Sequence, residues 1–156
     1  LTRYCLVIVP LYLISTGADR LWVGIAYLIN TFPQFLMMQY FERFKNLYLF
    51  NLGLLFTVIT FVSYALVHNF WLLLPVQLLL AFSFSTLQVG AHQELLANNR
   101  EKAAVMGLLN AFLNLSAIIG PLLAGIILTY TDYHGLMWFS AALALAALIS
   151  FTRGIE

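Results

Sequence analysis

The chain has 156 residues, of which 63% are hydrophobic and only 8% charged, and its mean hydropathy is +0.94. Soluble domains have roughly a quarter of their residues charged, so 7 basic and 6 acidic side chains cannot cover a water-facing surface of this size. The composition excludes a soluble fold, the net charge of +1 gives no reason to expect nucleic acid, and the lone Cys5 cannot form an internal disulfide.

Charge divides the rest of the chain into membrane crossings. Residues 4–16 are an apolar run too short to cross alone, and 1–16 reads as the truncated end of a helix. The sequence starts inside that run without a Met or a signal-peptide pattern, so it is expected to belong to a longer protein. The 21 uncharged residues between Arg20 and Glu42 give a span at 20–40. Between Lys45 and Glu94 lie 48 residues without a charge. As one helix they would measure about 72 Å, over twice the roughly 30 Å hydrocarbon core. The run must fold back, and "VHNFW" (67–71) is its polar break, which gives spans at 47–67 and 71–91. The 29 residues between Lys102 and Asp132 give a long span at 102–129, and the 20 between Asp132 and Arg153 a span at 134–152. Lipid offers no partner to unpaired backbone groups, and these runs lack the alternation of barrel strands. The expected fold is therefore all-α, a polytopic transmembrane bundle of six helices with the first incomplete.

Loop charge sets the expected orientation. Arg43, Lys45, Arg100, Lys102 and Arg153 fall on one side, and the opposite loops hold Arg20 beside Asp19. The basic side is cytoplasmic by the positive-inside rule, which puts both ends of the segment in the cytoplasm. Trp22, Trp71 and Trp138 each follow an outer loop, where an interfacial aromatic belt would place them.

The cytoplasmic turn "YFERFKN" (40–46) and the segment "NNREKAAVMGLLNAFLNLSAIIGPLLAGIIL" (98–128) carry a family resemblance. The turn resembles the G-x-L-x-D-R-x-G-R-R loop signature of the major facilitator superfamily, with Glu42 and Arg43 at its acidic–basic pair. Met38 and Lys45 stand where that signature has glycine. The second segment is similar to the family's penultimate helix, a polar cytoplasmic loop followed by a small-residue helix with a Gly-Pro and a further glycine. The resemblance implies the C-terminal half of a transporter, helices seven to twelve in two inverted three-helix repeats. It also implies alternating access by a small solute and an N-terminal six-helix half as partner.

The residues of 98–128 have their own physics. Ala103, Gly107, Asn110, Asn114, Ala117, Pro121 and Gly125 follow steps of three and four, so they share a helix face that lets a neighbour approach closely. Pro121 removes the hydrogen bond to the Ala117 carbonyl, and Gly120 beside it eases a bend. Asn99 is expected as the N-cap, with Glu101 in the first turn.

Side-chain amides at membrane depth must face protein or a wet cavity. Asn30 and Gln34 on 20–40, Gln77 and Ser85 on 71–91, and Asn110 and Asn114 on 102–129 are the expected solute-binding set. Taken singly, each reads more readily as interhelical glue; three helices presenting amides at one depth favour a shared cavity. Glu42, Arg43, Glu94 and Arg100 are expected at the cytoplasmic gate, and Gly107, Gly120, Pro121 and Gly125 as packing and kink positions. The spans 47–67 and 134–152 lack proline and, apart from Asn51, amides; they are expected outside, facing lipid.

Enzyme signatures are missing: no G-x-S-x-G turn, no H-E-x-x-H, no Gly-rich phosphate loop. His68, His92 and His134 fall on both sides of the membrane and cannot share one metal, and His68 and His134 read as solvated loop residues. No enzymatic activity, cofactor or metal is expected. The alternative is a six-helix membrane protein that carries nothing, an assembly subunit or an intramembrane enzyme.

Overall fold

The computed structural model of the chain describes residues 14, 19–43 and 48–153. Among these it forms five helices and no strand: α1 (Arg20–Phe41), α2 (Leu49–Leu66), α3 (Phe70–Asn98), α4 (Lys102–Leu128) and α5 (Tyr133–Arg153). All five are long and apolar enough to cross a membrane. The expected helix 1–16, almost all of it, and Lys45 lie outside the described residues.

Helix ends follow local backbone chemistry. α5 starts behind Asp132, whose Oδ1 accepts from the Gly135 N–H at 2.8 Å and satisfies one free amide of the first turn. α2 stops where Val67 turns extended (φ −84°, ψ 121°). α3 does not stop at 91 but runs to Asn98; its 29 residues measure about 44 Å, more than a bilayer core needs. Nothing in "HQELLA" breaks a helix, because Gln, Glu, Leu and Ala are good helix formers. Asn99 ends it, with Nδ2 donating to the Leu95 carbonyl at 2.9 Å. Asn99 therefore caps the end of α3 and not the start of α4. Glu101 takes that N-cap position and makes no side-chain cap bond.

In the described bundle α2 packs between α3 and α5, and α3 packs between α2 and α1. Two glycines allow the close approach of α2 and α3. A Cβ on Gly53 would stand 2.5 Å from the Leu87 backbone nitrogen, and one on Gly90 would overlap the backbone of Phe50. One turn beyond Gly53 the Thr57 hydroxyl donates to the Gly53 carbonyl at 2.7 Å, which makes Ser83 the donor of the 2.7 Å bond joining the two hydroxyls. Above this contact Phe61, Tyr64, Leu73, Leu136 and Met137 are fully buried and join α2, α3 and α5.

The amide-poor helices α2 and α5 each have one packed face and one open face, with Leu52, Leu55 and Ile59 exposed on α2 and Leu143, Leu145 and Ile149 on α5. α2 buries Gly53, Leu54, Thr57, Thr60, Phe61, Tyr64 and Ala65, and α5 buries Leu136, Met137, Ser140, Ala141 and Ala144. Apolar attraction between helices vanishes in lipid, so small residues and hydroxyls that allow close contact decide which faces pack. α4 is the opposite case: Ala124 is its only buried residue.

The two ends of the bundle are distinct. At one, Trp22 and Trp71 meet edge to face at 5.1 Å, and His68 stacks on His134 at 4.3 Å. At the other, Phe50 meets Phe151 at 4.6 Å.

Candidate functional site

The buried amide residues among those described, Asn30 and Gln77, lie at the contact between α1 and α3. Both helices carry a proline there, Pro33 and Pro75, each of which removes one backbone hydrogen bond. The prolines line an apolar groove of about 440 Å³ between the helices, with Leu28, Ile29, Phe32, Leu74 and Leu78. Alongside it Asn30 is 7% exposed and Gln77 3% exposed.

Three side chains cross this contact, and each reaches a backbone carbonyl. Asn30 Nδ2 donates to the Gln77 carbonyl at 3.1 Å. The Ser85 hydroxyl lies 2.7 Å from the Ala81 carbonyl of its own helix and 3.3 Å from the Gln34 carbonyl across the gap. Gln93 Nε2 donates to the Phe41 carbonyl at 3.4 Å, near the ends of both helices. Gln77 Nε2 is buried and has no hydrogen-bond partner. A donor left unmade inside a membrane core is costly, so this one marks an unfinished contact.

The structure thus brings Asn30, Gln34, Gln77 and Ser85 together, while Asn110 and Asn114 lie exposed on α4. Gly107 and Gly125 on the same helix have nothing within 4 Å of where a Cβ would be. Gly120 lines a second groove, of about 320 Å³, between α4 and α5, together with Phe112, Leu123 and Phe139. Pro121 is half-buried beside it. Of the expected gate residues, Glu42, Arg43 and Arg100 are exposed and Glu94 is half-buried.

Two contacts escaped the sequence reading. Gln93 had no stripe to belong to, although it lies two turns beyond Ser85 on α3. The histidines His68 and His134 are not simply solvated. Their rings stack 21° from parallel, and His134 Nδ1 lies 3.0 Å from the Ala65 carbonyl, tying α5 to the last turn of α2. Their equivalent places, after one amide-poor helix and at the start of the other, were the available signal.

Everything gathered at the α1–α3 contact is neutral: amides, hydroxyls and backbone carbonyls. Such a set orients and desolvates a ligand by hydrogen bonding but cannot transfer a proton at neutral pH. Among the described residues no group of three His, Cys, Asp or Glu is placed to hold a metal ion.

The family model described as Major Facilitator Superfamily matches residues 4–154. No curated protein and no solved structure matches the chain.

Proposed function

The chain belongs to the Major Facilitator Superfamily, a family of membrane transporters, and from that premise we propose that it is the C-terminal six-helix half of a secondary active transporter. A small solute would pass between this half and an N-terminal six-helix half by alternating access, without covalent chemistry. The family match over 4–154 carries the reading. The neutral hydrogen-bonding set at the α1–α3 contact supports it, because the buried Gln77 Nε2 is left with a donor that no neighbouring group of the protein meets.

In this reading Asn30, Gln34, Gln77 and Ser85 form one wall of the solute pathway. Asn110 and Asn114 on the exposed face of α4 form another, closed by the second half. Glu42, Arg43, Glu94 and Arg100 sit at the cytoplasmic mouth, in the cell membrane, with both ends of this segment cytoplasmic. Counterflow of a broad compound library in proteoliposomes of the complete protein tests the function. Exchange of at least one solute is expected, and a protein that exchanges none is not a carrier. Topology has its own test. Cysteine at Asn69 should react with an impermeant maleimide outside intact cells and cysteine at Asn98 should not; the reverse pattern inverts the orientation.

A further inference from the structure

Gln77 differs from the other buried polar residues of the bundle. Thr57, Thr60, Ser85, Thr86 and Ser140 each direct a hydroxyl to a carbonyl of their own helix, at 2.7–2.9 Å, so their hydrogen bonding is complete without a ligand. Their burial needs no further partner. Gln77 is 3% exposed, and its Nε2 has no partner in the protein. Its backbone is nonetheless held from across the gap, because Asn30 Nδ2 donates to its carbonyl at 3.1 Å. Asn30 spends its donor on fixing this turn of α3, and the Gln77 side chain is left presenting an amide N–H.

The surroundings narrow what that N–H can meet. No Asp, Glu, Lys or Arg occurs from Leu21 to Phe41, from Leu49 to Leu66, or from Phe70 to Gln93. The helices around Gln77 therefore contribute no counter-charge, and an ionised group brought there would be buried unpaired. The amide nitrogen donates and does not accept. We propose that Gln77 is a solute contact whose Nε2 donates to an uncharged acceptor, a hydroxyl, ether or carbonyl oxygen, and that Asn30 is its positioning residue. The proposal rests on the transporter reading above and adds the chemistry of the solute group at this point.

The test uses the complete protein in detergent and in proteoliposomes. Neutral hexoses and hexitols are the probes, with hexonates and hexosamines as charged counterparts, read by thermal shift and counterflow. Each variant is first shown to keep a cooperative melt without probe. Neutral probes should stabilise the protein and charged ones should not. Gln77→Leu should weaken the neutral probe by about 5- to 150-fold, the range for leaving one buried hydrogen bond unmade. Gln77→Met, which keeps the length of the side chain but carries no N–H, should bind as poorly as Gln77→Leu. Gln77→His, which restores an N–H, should recover part of the loss. Unchanged affinity in Gln77→Leu would mean that a trapped water or plain packing occupies the site, and the proposal falls. It also falls if charged probes bind and neutral ones do not, an outcome that leaves the transporter reading standing. Absence of exchange by any compound of the broad library removes that reading instead.

Discussion

α3 meets α2 on one side and α1 on the other, and the two contacts are built on different principles. Toward α2 the backbones touch at Gly53 and Gly90, and the hydroxyls of Thr57 and Ser83 satisfy each other. Toward α1 no glycine brings the backbones together. Pro33 and Pro75 keep a groove open, amides bridge to carbonyls, and Gln77 Nε2 is left over. The first contact is complete, so any rearrangement breaks bonds without replacing them. The second is incomplete, and a ligand or a shift of α1 can satisfy what it leaves open. Rigid and adjustable contacts on one helix are what a carrier needs, and the difference lies in backbone distance and leftover hydrogen bonds.

The sharpest way to break this contrast is at the glycines. Gly90→Ala and Gly53→Ala should each lower stability by about 1–3 kcal/mol, because the added Cβ meets backbone, which cannot rotate away. Thermal unfolding in detergent reads the loss, and a neutral result for both would show that the α2–α3 contact is not tight.

On the α1 side the effect should appear in binding. If the amides line the pathway, Asn30→Ala should weaken solute affinity by about 2- to 12-fold, equivalent to roughly 0.5–1.5 kcal/mol. It should also cost about 0.6 kcal/mol of stability through the lost bond to the Gln77 carbonyl. Asn114→Ala, on the exposed face of α4, should show the affinity loss alone. Asn114→Ala with reduced stability and normal affinity would assign that residue to packing.

Thr57→Val probes the completed contact more gently. The side chain keeps its shape and loses the hydroxyl, so a loss of about 1 kcal/mol is expected. Combined with Ser83→Ala, it should cost clearly less than the sum of the two single changes, since each already breaks the shared bond. Additive losses would mean that the two hydroxyls act separately.

The smallest effect belongs to α4. Gly107→Ala should be neutral or stabilise this chain by about 0.5 kcal/mol, since the site is open and alanine favours the helix. A loss of stability in the complete protein, with none in this segment alone, would show that another helix covers this face.

Much of the architecture was legible in the residues themselves. Spacing of charge separates the crossings because a charged side chain inside hydrocarbon is expensive and an uncharged run longer than the bilayer must turn. The break at "VHNFW" separates α2 from α3 for that reason. The amides Asn30 and Gln77 stood out because lipid cannot accept their hydrogen bonds, and Asn30 does reach the Gln77 backbone carbonyl. Hydropathy was silent where a different force decides. It reports where a chain leaves lipid, not where a helix ends, so α3 continues past 91 until Asn99 turns its backbone and takes the Leu95 carbonyl.

Burial cost and helix geometry act residue by residue, so a multi-pass helical membrane protein, its family resemblance and its polar positions can be read along the chain. Which helix faces pack, that Asn30 bonds the Gln77 backbone and leaves the side chain over, and that His68 and His134 stack come from packing in three dimensions. Those outcomes depend on how closely two backbones approach and at what register. Approach is fixed by pairs such as Gly53 with Leu87 and Gly90 with Phe50, dozens of residues apart, and no local pattern encodes a distance between them.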